Sequence, residues 1–230
     1  MKQKQTRSNI VRIDDLLTYD PITENQKIVK EAWRSGDNLV MFGSAGTGKT
    51  FMGMYLALEE VLDKGYEAER LVIVRSVVPT REMGYLPGSV EEKVDAYTAP
   101  YRAICTELFN DKEAYQKMEE NGTLEFLSTS FIRGTTFDDC IILVDECQNC
   151  NFHELDSIIT RVGRNTKIIF SGDYYQSDFK NENDRNGFKN FLTIIEQMNR
   201  FTCVEFKWAD IVRSDFVRDY IMTKEMLNIR

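Results

Sequence analysis

The sequence predicts an α/β protein of three layers, with a mainly parallel sheet between two sets of helices and an inserted helical element. Three observations carry this expectation. Six short apolar runs bounded by turn residues are distributed along the 230 residues, segments with helical periodicity alternate with them, and only four prolines interrupt the pattern. Strands alternating with helices build parallel sheets, because each crossover returns the chain to the same edge. No internal repeat is visible, and the length suits one sizeable domain with insertions.

Residues 1–22 read as an N-terminal extension, and the domain is expected over 23–230. Its first helix is predicted at 24–34, followed by the strand NLVMFG at 38–43 and a helix at 49–64. The strand RLVIVRS occupies 70–76. A long excursion over about 77–121, with helical periodicity at 91–109 and 111–120, separates it from the strand LEFLST at 124–129. That is more chain than a simple crossover needs, so the excursion reads as an inserted helical element over one sheet edge and as a candidate partner-binding region. CIILVDE follows at 140–146, a helix at 152–162, TKIIFSGD at 166–173, a helix at 187–198, FTCVEFKW at 201–208 and a last helix at 214–228. Four of the six strands are nearly continuous in apolar residues, as expected of strands covered on both faces.

Composition narrows the function. No apolar run approaches the roughly 20 residues of a membrane helix. The basic start MKQKQTRSNIVR lacks the apolar stretch of a secretory signal, so a cytoplasmic location is expected. Five cysteines at irregular positions do not form a disulfide framework. A net charge of -8 argues against coating nucleic acid by bulk electrostatics, although a local basic groove stays compatible with it.

The strand NLVMF runs into GSAGTGKT, which is Gly43, Ser44, Ala45, Gly46, Thr47, Gly48, Lys49 and Thr50, and then into the amphipathic FMGMYLALEEVL. This matches G-x-x-x-x-G-K-[ST] at every fixed position, in the required order of strand, loop and helix. Such a loop turns successive N–H groups inward around phosphates, with the partial positive charge of the helix N-terminus behind them. Lys49 is then placed to reach the β- and γ-phosphates, and Thr50 to ligate Mg²⁺.

IILVDECQNCNFHELD, from Ile141 to Asp156, offers two readings. In the first, Asp145 holds the metal of a P-loop enzyme and Glu146 accepts a proton from the attacking water, a pairing that favours hydrolysis over transfer to another substrate. In the second, Cys147, Cys150 and His153 form a metal or redox site. A structural zinc usually takes four ligands, and the sequence has no second C-x-x-C or H-x-x-x-H pair, so the first reading is preferred and the cysteines are expected to pack.

GSAGTGKT, VDECQN and SGDYYQSDF, with LPGSVEEKVDAYTAPY and FIRGTTFDD, together resemble the PhoH-like family of P-loop ATPases, from about Thr23 to Arg213. The resemblance implies a RecA-like P-loop NTPase domain, similar to the first such domain of superfamily 1 helicases. It further implies binding and hydrolysis of ATP with Mg²⁺, and a role on RNA or DNA. By the same resemblance, Gln176 in SGDYYQ senses the γ-phosphate, Gln26 in PITENQ reads adenine, Arg213 in DIVRS acts as a finger on the γ-phosphate, and Arg133 contacts a phosphate backbone or an interface. Two positions depart from the family pattern: Cys147 stands where alanine is common, and Ser214 where histidine is common.

The expected function is an ATPase coupling hydrolysis to movement on single-stranded nucleic acid, RNA rather than DNA. A second RecA-like domain is not expected within 230 residues. A homo-oligomeric ring, a hexamer by resemblance to other single-domain RecA-like ATPases, would supply the second surface. Arg75, Arg81, Lys93, Arg102 and Arg133 would then gather along its channel. A nucleotide-dependent protein-binding switch and a small P-loop kinase are the alternatives.

Overall fold

The computed structural model describes residues 10–76, 90–132, 134–173 and 182–227. Gln176, Arg81, Arg133, residues 86–89 of LPGSVEEKVDAYTAPY and the side chains of 90–94, Lys93 among them, lie outside the described residues. The elements in chain order are α1 (Glu24–Arg34), β1 (Asn38–Gly43), α2 (Lys49–Leu62), β2 (Arg70–Arg75), α3 (Val90–Phe109), α4 (Ala114–Glu120), β3 (Leu124–Ser128), β4 (Cys140–Asp145), α5 (Phe152–Ile159), β5 (Lys167–Gly172), α6 (Glu182–Ile195), β6 (Phe201–Phe206) and α7 (Asp215–Met226).

The six strands form one sheet in the order β3-β2-β4-β5-β1-β6, and every neighbouring pair is parallel. Alternation along the strands divides the core in two. Leu39, Met41, Ile73, Leu143 and Ile169 face one way, onto Trp33 of α1, Leu56 of α2 and Tyr101 of α3. Val40, Val74, Val144 and Phe170 face the other way, onto Leu155 of α5 and Phe191 of α6. The result is the expected three-layer α/β fold. Each large apolar side chain buried in it contributes about 1.5–3 kcal/mol over exposure.

Boundaries shift where side chains intervene. Ser128 Oγ accepts from Ser130 N and ends β3 one residue short of LEFLST. Asp111 Oδ1 accepts from Glu113 N, which delays α4 to Ala114. At the head of α1, the Thr23 side chain accepts from the N–H of Gln26, and the helix then buries Gln26, Val29 and Trp33 at spacings of three and four. Lys167, at the start of β5, lies 3.4 Å from the centroid of the Trp33 ring and pairs with Glu60 at 2.9 Å. One cation thus ties α1, α2 and β5 together at the end of the sheet remote from the P-loop.

Two segments are integrated with the domain. Within the N-terminal extension Val11 is buried in the core, and Leu17 N donates to Leu108 O of α3. Within the inserted element, α3 sends Tyr101, Cys105 and Leu108 into the same core as α2.

Candidate active site

A parallel sheet gathers the carboxyl ends of its strands on one edge, where ligands of open α/β sheets sit. Here that edge brings together Gly43 of β1, Arg75 of β2, Asp145 of β4, Gly172 of β5 and Phe206 of β6. The P-loop leaves β1 under tight constraint. Gly43 lies opposite Phe206 with φ +120, and a Cβ at this position would stand 2.1 Å from the Phe206 carbonyl oxygen. Only glycine meets both conditions. That carbonyl accepts from Ser44 N at 2.9 Å, so β6 guides the chain into the loop.

Lys49 opens α2 and is buried. Its Nζ donates to Ser44 O at 2.6 Å, to Gly43 O at 3.1 Å and to Thr47 Oγ1 at 3.3 Å. Burial lowers its pKa, against the opposing pull of Asp173, Glu146 and Asp145. Thr50 points to β4, and its Oγ1 donates to Asp145 Oδ1 at 2.8 Å.

Asp145 is held at both oxygens, because the Tyr101 hydroxyl donates to Oδ2 at 2.9 Å. Burial raises the Asp145 pKa, as does Glu146, while hydrogen bonds from Thr50 and Tyr101 and the charge of Arg75 oppose the rise. Arg75 is the register partner of Asp145 and packs over the Tyr97 ring at 5.7 Å. Burial acts to lower the Arg75 pKa, but Tyr101, Glu146 and Asp145 outweigh it and the pKa rises. The guanidinium therefore serves this cluster from within the chain.

Glu146 follows the last residue of β4 and turns into the left-handed region at φ +50. Its Oε2 accepts from Gln148 Nε2 at 2.6 Å, and Gln148 Oε1 accepts from Asp173 N at 2.9 Å. Gln148 thus links the acidic pair to the end of β5. The approach is close: a Cβ on Gly172 would meet Cys147 Sγ at 2.6 Å and Gln148 Oε1 at 2.7 Å. Tyr101, Gln148 and Asp173 were not singled out by sequence reasoning. The signals for the last two were their places inside the motifs VDECQN and SGDYYQSDF, Gln148 two residues after Glu146 and Asp173 closing the β5 run.

A cleft of about 560 Å³ runs over the P-loop, lined also by Tyr19, Ile22, Gln26, Asp145, Glu146 and Arg213. Gln26 is buried there, accepting from Ile22 N at 2.8 Å and donating to Thr47 O at 3.2 Å. Arg213 lies over the loop in the same chain, its Cγ 3.0 Å from where a Cβ on Gly46 would stand. Helix α7 crosses beside it: Glu225 Oε2 accepts from Ser44 Oγ at 2.9 Å and also from Trp208 Nε1. Arg102 is paired with Asp95 at 2.7 Å and stacks over Tyr115, so its charge is also engaged within the chain.

The oxygen donors suit a hard cation. A threonine hydroxyl and a buried carboxylate in contact, next to a phosphate loop, match Mg²⁺, which takes one or two protein ligands and fills its octahedron with water and phosphate oxygens. Thr50 and Asp145 would hold it.

The cysteines face elsewhere. Cys147 and Cys150 are fully buried in the apolar cluster with Leu155 and Phe170, whereas His153 is exposed on α5. Among the described residues no three His, Cys, Asp or Glu side chains cluster around a common point. Burial raises the pKa of both thiols, and it pushes Cys105 up to about 12 and Cys203 up to about 11. Cys147→Ala/Cys150→Ala is expected to keep phosphate release within about twofold of wild type while the thermal midpoint falls by a few degrees, since only packing atoms are lost. Side-by-side melts and phosphate-release assays check this; a large loss of turnover without unfolding would assign the thiols a role.

A profile of the family described as PhoH-like protein matches residues 18–224. A PhoH-like protein of Mycobacterium leprae is 29% identical over 222 residues, covering 94% of this chain and 62% of its own length. One from Synechocystis is 31% identical over 204 residues, covering 88% and 61%. The chain therefore spans about three fifths of the length of these curated relatives. Among solved structures, the large terminase of a thermophilic bacteriophage in complex with ADP is similar at a TM-score of 0.52 and 13% identity, over 90% of this chain and 50% of the terminase chain. That likeness is one of fold.

Proposed function

This chain belongs to the PhoH-like family of P-loop ATPases, and we propose that it binds ATP in the cleft over Gly43–Thr50 and hydrolyses it with Glu146 as general base. The observation that carries the proposal is the convergence of three separate strand ends on one cleft: the P-loop, the Asp145–Glu146 pair and the Gly172–Asp173 turn.

The N-terminus of α2 and the loop amides favour the phosphates, and Lys49 adds a cation already confined to the loop. Bound Mg²⁺ would neutralise charge on the phosphates and orient them. Glu146 takes the proton of the attacking water. Gln148 fixes the carboxylate through Oε2, and Asp173 N fixes Gln148 in turn. Arg213 stands over Gly46 in cis, where a guanidinium can meet charge developing on the transferred phosphoryl group. Gln26 braces Thr47 from the side on which a base would lie, and its amide retains one N–H and one lone pair for adenine. Gln176 would complete the set from beyond Asp173.

We further propose that hydrolysis serves a single-stranded nucleic acid, RNA before DNA, in a homo-oligomeric assembly in the cytoplasm, with a hexameric ring as the working arrangement. Support comes from Phe131, which is 71% exposed just beyond β3 at the carboxyl edge of the sheet and lies close to Arg133 in sequence. Exposed aromatic rings beside cations bind single strands by stacking. Arg75 contacts Tyr97 and Arg102 pairs with Asp95 within the chain, and the same two cations are proposed to face the strand in the assembly. Among the described residues no helix is long and apolar enough to cross a membrane.

The test is phosphate release with and without single-stranded RNA and DNA, paired with a mass measurement of the assembly. Mg²⁺-dependent release without any acceptor, stimulated by one polymer, is the expected result. Absence of release would overturn the ATPase assignment, and release indifferent to both polymers would overturn the nucleic-acid part alone.

A further inference from the structure

We propose that Tyr101 is a positioning residue for the metal-binding carboxylate Asp145, and that through it helix α3 is a working part of the ATP site. The inference rests on the reading of Thr50 and Asp145 as the Mg²⁺ ligands. Its starting point is the division of labour on one carboxylate: Thr50 Oγ1 donates to Oδ1 at 2.8 Å, and the Tyr101 hydroxyl donates to Oδ2 at 2.9 Å. A carboxylate gripped at both oxygens cannot turn about its Cβ–Cγ bond without breaking one contact. The phenol therefore selects which oxygen stands beside the P-loop helix.

The grip is itself built. Tyr101 is fully buried, and its ring packs at 5.9 Å from Phe126 of β3. One turn earlier on α3, Tyr97 lies under Arg75, the residue paired in register with Asp145. Two side chains at i and i+4 on one helix thus contact the last residues of two neighbouring strands, β2 and β4. Groups that hold a metal ligand in place without touching the metal commonly set affinity by tenfold to a hundredfold. The helical insertion is the source of such a group here.

A purely structural tie would stabilise the fold without tuning metal binding, so the experiment separates the two. Tyr101→Phe keeps the ring and removes the hydroxyl, and Phe126→Leu keeps the hydroxyl but loosens its support. Tyr115→Phe, which removes the hydroxyl of another buried tyrosine on α4, is the matched control. For each, binding of a fluorescent ATP analogue is measured in excess chelator, and Mn²⁺ binding in the presence of a non-hydrolysable analogue is followed by electron paramagnetic resonance. Tyr101→Phe is expected to raise half-saturating Mn²⁺ about tenfold, with metal-free nucleotide affinity within about twofold of wild type. Phe126→Leu should move Mn²⁺ binding in the same direction by a smaller factor, and Tyr115→Phe should leave it in place. Unchanged Mn²⁺ binding in both Tyr101→Phe and Phe126→Leu would overturn the proposal. Failure of the wild type itself to bind nucleotide would instead overturn the reading of the cleft on which the proposal rests.

Discussion

Glu146→Gln is expected to bind ATP about as tightly as wild type and to release phosphate roughly 10²–10⁴-fold more slowly, the range attributed to a positioned general base. The substitution keeps shape and one amide oxygen, so the hydrogen bond from Gln148 Nε2, at 2.6 Å in the native protein, retains an acceptor. What disappears is the capacity to accept a proton. Single-turnover hydrolysis alongside equilibrium binding checks the split. Equal loss in both measurements would mean that Glu146 is a structural acid at a strand end, and undiminished turnover would remove it from the mechanism.

Gly43→Ala is expected to abolish nucleotide binding and to destabilise the domain by more than about 4 kcal/mol, a size reserved for a few well-defined mechanisms. Two faults coincide at this position. The new methyl would sit 2.1 Å from the Phe206 carbonyl oxygen, and the backbone holds φ +120, where residues with a Cβ are strained. Relief requires β1 and β6 to part at the last rung of their pairing, Gly43 opposite Phe206. That rung also carries the Ser44 N to Phe206 O hydrogen bond. Since whole domains are stable by about 5–15 kcal/mol, a loss of this size should move the urea midpoint far toward lower denaturant. A variant with near-native stability and intact nucleotide binding would contradict the account of how β6 shapes the loop.

What the sequence made legible was local. Apolar runs marked all six strands to within a residue or two, and GSAGTGKT is recognisable because one contiguous stretch contains the whole loop. IILVDECQN set Asp145 and Glu146 at a strand end for the same reason. Tyr101 escaped because it acts 44 residues away from Asp145 in sequence, across a helical packing that no periodicity encodes. Gln148 reads as one more polar residue of a turn until β5 brings Asp173 against it. The pairing of Arg75 with Asp145 was equally hidden, since only strand order sets the two residues side by side. Likewise, the conspicuous C-x-x-C draws attention by spacing alone, and its side chains fill the core under the acidic turn.

The left-handed backbone of Glu146, at φ +50, bears on how such a protein could be improved in the laboratory. A side chain with a Cβ sits there at a cost of about 1–2 kcal/mol, which glycine avoids. Selection for heat resistance alone would therefore drift toward glycine at the one position whose carboxylate is proposed to drive turnover, and would reach a sturdier protein that no longer works. Any engineering of this scaffold needs a screen that scores turnover together with melting, because at this residue the two demands pull in opposite directions.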